Sequence, residues 1–331
     1  MACMFAMSVV FAQQQTAILV HSDNSFNAYY GVNAFVKAMD AAQNGETINL
    51  SAGDFSGAAI TKSLTIRGNG ATGPVAERTY IHNDVSQRIA DSSNSFLNIE
   101  GVYFYDNLYS DSVCQNFQMV HCVIPFFQVS NQYANLTFIN CIVKKFNTTL
   151  GVDDAFSATC INSYIWNDQR YFPLRMINCV CKIEGPDFDY SNTHNVYQNC
   201  IIYGSPYSSY SGYHPYTHAQ ALDHCVVINT SDTNLFGDNL MHTGTNNVER
   251  PFQQVFASFV GGDLDDQTSF ALTALAQVTL LGSDSTQVGL YGGMRPWTDA
   301  LTYPKISSMT VPHQTTGTGM LNVSVEIRQG E

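Results

Sequence analysis

Two pairs of carboxylates stand close enough in the chain to act together: Asp153-Asp154 in GVDDAF, and Asp187 with Asp189 in GPDFDYS. Two carboxyl groups flanking one glycosidic bond can divide hydrolysis between an acid and a base or nucleophile. The same oxygens suit a hard cation, so Asp187 and Asp189 are also the candidate ligands for Ca²⁺. A lyase route needs a base and a positive charge that neutralises a uronate carboxylate. Arg170, in WNDQRYF, supplies that charge, with Arg175 and Lys182 the other basic residues near the acidic segments. Asp153, Asp154, Asp187 and Arg170 therefore form the best acid–base set in the chain. The competing reading is that these are solvated loop acids.

A second constellation is SPYSSYSGYHPYTHAQ (205–220), which carries Tyr207, Tyr210, Tyr213 and Tyr216 with His214 and His218, and no Lys, Arg, Asp or Glu. Rigid amphipathic rings on a Ser/Gly frame are what binding loops use, and aromatic faces suit the C–H faces of sugars. These six residues are the candidate carbohydrate contacts. The alternative is a loop that packs its own tyrosines onto the protein. His214 and His218 would share a helix face, but Pro215 between them opposes a helix.

Both constellations interrupt a phrase that returns as MVHCVI, LTFINCIV, ATCINSYI, LRMINCVC, VYQNCIIY and ALDHCVVI. Its second half begins at Cys122, Cys141, Ser163, Cys179, Cys200 and Cys225, at intervals of 19, 22, 16, 21 and 25 residues. Strand-like content at such intervals is the mark of a solenoid. Parity explains the polar step. In LTFINCIV, Leu136 and Phe138 share one parity, Cys141 and Val143 the other, so one continuous strand would aim them at opposite faces. A single left-handed residue between two short strands returns both sets to the inside, and Asn tolerates that conformation best among non-glycine residues. Asn140, Asn162, Asn178 and Asn199 are therefore expected at corners, with amides stacked as a ladder. His121 and His224 take the same slot and are read as corner residues rather than catalytic ones.

Net charge is −13, with only 14 Lys and Arg and no basic run, which argues against nucleic acid and anionic membrane as partners. Residues 1–12, MACMFAMSVVFA, before Gln13–Gln15, read as a signal peptide cleaved after Ala12, which makes the protein exported: periplasmic, cell-surface or secreted. No later run reaches the roughly 20 apolar residues that span a bilayer. The eight cysteines after residue 12 could form disulfides in an oxidising compartment. Their recurrence in one slot favours buried free thiols packed as small hydrophobes.

Before the repeats, Val32, Phe35, Val36 and Met39 recur at helical spacing, which predicts a capping helix over about 31–44. Helix, rungs and Asn corners, together with the opening GETINLSAGDFSGAAITKSLTIRGNG, resemble the right-handed parallel β-helix of the pectin-lyase-like superfamily over roughly 31–260. That resemblance implies an all-β solenoid capped by a helix; the superfamily contains lyases, hydrolases, esterases and non-enzymatic surface proteins. Asp153-Asp154 is similar to the double Asp of β-helical polygalacturonases, whose NTD, GHG and RxK marks are absent here. The expected layout is a β-helix over 13–295 and a C-terminal extension over 296–331. The extension ends in the alternating strand MLNVSVEI, which pairs along the solenoid or with a partner protein. The expected function is binding of a polysaccharide or glycoconjugate through the Tyr-rich and acidic loops. Its rivals are a lyase or glycoside hydrolase acting on a pectin-like glycan, and a structural or adhesive solenoid.

Overall fold

The computed structural model describes residues 15–89, 94–112, 114–129, 135–148, 158–167, 174–184, 195–205, 221–228, 245–261, 268–301, 303, 305–310 and 324–328. It is a parallel β-helix. Each coil lays one strand in a first sheet, turns a corner, lays a second strand in a second sheet and, in the early coils, a third in another. The sheets hold eleven, ten and five strands. Pairing is parallel throughout the stack, as between Asn116–Val120 and Asn135–Ile139 or Val180–Glu184 and Ile201–Ser205.

The corners follow from backbone conformation. Asn140, Asn162, Asn178 and Asn199 have φ of 51°, 44°, 52° and 56°, and His121 and His224 have 50° and 51°. Gly101 (φ 70°) and Asn246 (φ 59°) occupy the same place in coils whose sequence lacks the Asn-Cys step. Only a left-handed residue here lets Leu136 and Phe138, and then Cys141 and Val143, all face inward. Corner N–H groups are spent on the next coil: Asn140 N donates to Ile161 O at 3.1 Å and Asn162 N to Ile177 O at 3.0 Å.

The residue after each corner does more than fill space. All eight described cysteines are buried free thiols. Cys141 Sγ lies 3.4 Å from Met119 O and 3.3 Å from Ile139 O, and Cys179 and Cys200 repeat the pattern. Where Ser163 takes the slot, its Oγ donates to Ile161 O at 2.9 Å. The slot therefore wants a small side chain with a weak donor, which adds a second contact to strand carbonyls that already accept the N–H of the neighbouring corner.

Aromatic rings fill the middle of the stack. Phe127, Phe138 and Phe146 meet edge-to-face at 5.3 to 6.0 Å, the arrangement that ring quadrupoles favour. The helix α1 (Ala34–Ala41) buries Ala34, Phe35, Ala38 and Met39. Val32, expected in that stripe, lies outside the helix and is 51% exposed. A strand not foreseen, Thr16–Val20, pairs antiparallel with Thr47–Leu50 and with Phe26–Tyr30, so the first sheet begins in a hairpin. Among the described residues, no helix is long and apolar enough to cross a membrane.

From Val123 onward the second sheet is buried on both faces. Its strands read as continuous apolar runs (IIY, VVI), which is how doubly covered strands read. Outward-facing Val123, Ile142, Tyr164, Val180, Ile201 and Val226 form a second core with Phe252, Phe256, Phe259, Phe270, Leu272, Val288 and Leu290. That cover starts directly after the last solenoid strand described, Val248–Arg250, and includes the short helices α2 (Phe252–Val255) and α3 (Ala274–Thr279). Residues 280–303 then run back along the corners as a strap. Asn162 Nδ2 donates to Leu290 O at 2.8 Å and Gly292 O at 2.7 Å, and Asn140 Nδ2 reaches Pro296 O at 3.5 Å. The corner amides thus bind the strap. Among the described residues, side chains meet corner to corner at Asn140 Nδ2 and His121 Nε2 (3.1 Å) and at Asn246 Nδ2 and His224 Nε2 (3.0 Å), rather than as an unbroken amide ladder. At Gly293 (φ 74°) any Cβ would collide with the Asn178 amide. The strap ends on early coils, where Thr72 Oγ1 donates to Asp299 at 2.6 Å and Tyr303 donates its hydroxyl to Gly68 O. The final strand, Ser324–Arg328, does not pair along the solenoid: it forms an antiparallel two-stranded sheet with Lys305–Thr310. Local pairing wins because a short connection costs less closure entropy than a distant edge.

Candidate functional site: an exposed aromatic and carboxylate face

Asp153, Asp154, Arg170, Asp187, Asp189, Tyr207, Tyr210, Tyr213, His214, Tyr216 and His218 all lie outside the described residues. The strands that precede three of these segments are placed. Tyr164–Asn167, Val180–Glu184 and Ile201–Ser205 are consecutive neighbours in the second sheet, with Asn167 opposite Ile183 and Glu184 opposite Ser205. Arg175 is exposed on the first sheet. Lys182 is buried, its Nζ 4.2 Å from the centre of the Trp166 ring; it belongs to the covered face of the second sheet. His121 Nε2 meets Asn140 Nδ2 at 3.1 Å, and His224 bonds Asp223 at 2.9 Å and Asn246 at 3.0 Å. Burial holds the His121 imidazole below its usual pKa, against the pull of Glu100 and Asp299. Partial burial pushes Asp223 up, but the hydrogen bonds from His224 and Thr245 prevail and hold it below the usual carboxylate range. Among the described residues, no group of three or more His, Cys, Asp or Glu could hold a metal ion.

The described surface with the most chemistry lies on the early coils, on the second-sheet side of the corner where the strap ends. In TYIH (79–82) Ile81 faces the core, so Tyr80 and His82 face out; in YFY (103–105) Phe104 faces the core, so Tyr103 and Tyr105 flank it outward. Parallel register sets Asp54 beside Tyr80 and Tyr80 beside Tyr103. Two short columns of rings result: Tyr80 and Tyr103 have centroids 5.1 Å apart, and His82 and Tyr105 4.6 Å with planes 31° apart. Tyr105 is 59% exposed. The exposed Asp54 carboxylate meets His82 Nε2 at 2.6 Å, which fixes the imidazole plane beneath Tyr105.

The face continues around the turn into the third sheet. Asp106 accepts the N–H of Asn83 at 2.7 Å, while Asp84 accepts the N–H of Asn107 at 3.2 Å and its amide at 3.0 Å. Reciprocal Asx bonds between neighbouring coils hold both carboxylates at the surface. Beyond them, Tyr109 packs edge-on against Phe126 at 6.5 Å, beside Gln128. Arg88 bonds the Asp111 carboxylate at 3.1 Å. With four aspartates against one arginine, the face is negative and rich in acceptors. Such a surface can stack on the apolar side of a sugar ring and accept hydrogen bonds from hydroxyls at its edge.

Sequence reasoning passed over these residues because the coil 96–104 lacks the Asn-Cys step. The signal was nevertheless present: Tyr-x-His and Tyr-x-Tyr recur 23 residues apart at the parity that points outward. No protein-family model, curated protein or solved structure matches the chain.

Proposed function

We propose that the protein is an exported β-helix of the pectin-lyase-like kind that binds a polysaccharide, with Tyr80, His82, Tyr103 and Tyr105 as the contact face. The single observation that carries this reading is the pair of ring columns, half-buried at Tyr80, His82 and Tyr103 and exposed at Tyr105, held at rung spacing by parallel register and by the Asp54–His82 bond. Elsewhere on the second sheet the outward apolar positions are buried under the chain's own C-terminal segment. Here the rings keep part of their surface in solvent, Tyr105 most of all, with carboxylates and amides around them. Stacking of this kind is worth about 0.5–1.5 kcal/mol per ring pair, so two columns support weak to moderate binding that gains by repetition along a polymer.

The test is affinity electrophoresis of the protein through gels containing a panel of soluble polysaccharides, with a reducing-end assay on the same mixtures. Retardation that Tyr105→Ala and Tyr80→Ala both weaken supports the proposal. Retardation unchanged in both variants overturns this assignment of the face, and new reducing ends would replace binding by cleavage. Tyr105 is exposed, so Tyr105→Ala should shift stability by less than about 0.5 kcal/mol, and a melting curve of the half-buried Tyr80→Ala variant checks that it is folded.

A further inference from the structure

Resting on the carbohydrate reading, we propose that the ligand is a polysaccharide without acidic groups, laid parallel to the solenoid axis. Direction comes from register. Tyr80 and Tyr103 are opposite one another on consecutive coils, and His82 and Tyr105 form a second column beside them. Successive stacking partners therefore recur along the axis at the strand spacing of about 4.8 Å. That is close to the advance of one sugar unit in an extended glycan. Across the axis, the next ring on the same strand is 6.3 Å away, against 5.1 Å within the Tyr column. A chain running along the strands would meet one ring of each column, whereas one along the axis meets two rings of a column before Val123 and the covered part of the sheet.

The absence of acidic groups follows from charge. Asp54 stands at one end of the Tyr column, Asp84 and Asp106 line the turn beside it, and Arg88 is bonded to Asp111, while Lys144 and Lys145 lie two coils further along the same turn. Like charges brought within a few ångströms repel even in water-like surroundings. A polyuronate brings one carboxylate per sugar and meets several of these aspartates at once. The acceptors that repel it are the groups that hydroxyl donors need.

The experiment measures binding of the full chain to neutral oligosaccharides (β-1,4-glucan, β-1,3-glucan, mannan and xylan series) and to oligogalacturonate, by calorimetry at low and high salt. Binding of at least one neutral series, with affinity rising over the first two or three sugars, is expected. Oligogalacturonate should bind at least tenfold more weakly at low salt, and added salt should narrow that gap. The double variant Asp84→Asn, Asp106→Asn keeps the Asx acceptors and should narrow it as well. Oligogalacturonate bound as tightly as the best neutral series would overturn the inference and leave the carbohydrate reading standing. No binding to any glycan would overturn both.

Discussion

The side-chain oxygen of Asn199 accepts the backbone N–H of Ser283 at 2.8 Å, and the Asn199 carbonyl accepts the N–H of Gly289 at 2.9 Å. A corner of the solenoid thereby becomes the docking point for a segment more than eighty residues later in the chain. Asn162 does the same for Leu290 and Gly292. The corner residue thus has two jobs, left-handed conformation and attachment of the strap, and substitutions separate them. Asn162→Gly keeps the conformation and loses the amide bonds, about 1–3 kcal/mol. Asn162→Ala loses both, adding roughly 1–2 kcal/mol for a left-handed residue with a Cβ. Urea denaturation of the two variants should rank them in that order; equal stabilities would mean that conformation contributes nothing at the corner.

Strap docking can be read separately at Gly293. Its φ of 74° and its approach to the Asn178 amide leave no space for a side chain. Gly293→Ala should loosen residues 280–303 while the coils stay folded, since the inner core is independent of the outer one. Faster hydrogen exchange at Gly289 and Trp297, whose N–H groups bond Asn199 O and Leu290 O, is the expected readout. Unchanged exchange there would contradict the steric argument.

The thiol slot makes a chemical prediction. Burial pushes the Cys122, Cys160 and Cys200 thiols well above their usual pKa, and no described cysteine is exposed. A disulfide-type thiol reagent at neutral pH should leave all eight unmodified in the native protein and label them after unfolding. Cys141→Ser should cost no more than about 1 kcal/mol, because Ser163 already fills an equivalent place with its hydroxyl bonded. Cys141→Val, which removes the donor and adds a branch in a packed stack, should cost about 1–3 kcal/mol.

How much of this could be read from the chain beforehand depends on what kind of signal each feature leaves. The coils were legible because parity is local: Leu136 and Phe138 against Cys141 and Val143 force a left-handed step, whatever the rest of the chain does. The second core was half-legible. The unbroken apolar runs at Ile201–Tyr203 and Val226–Ile228 demand cover on both faces, but nothing local says that Phe252 to Leu290 provides it. The strap, the Thr16–Val20 hairpin and the final antiparallel pair depend on which distant segment wins a competition, which residue types alone do not encode. The ring columns depend on register between Tyr80 and Tyr103, two coils that lack the motif by which the others were found. Composition drew attention to Tyr207–His218 instead, a segment outside the described residues.

His121 should make the fold acid-sensitive. It sits at a corner where other coils place Asn, and burial lowers its pKa while Glu100 and Asp299 act in the opposite direction. A lowered imidazole pKa means that the unfolded chain takes up a proton which the native state refuses. The contribution is therefore complete above the unfolded value, near 6.5, and shrinks as pH falls below it. His121→Asn keeps a residue suited to φ 50° and removes the titration. The melting temperature of the variant should match that of the parent at pH 8 and exceed it at pH 5. A parallel loss in both proteins between those values would assign the acid sensitivity to other groups.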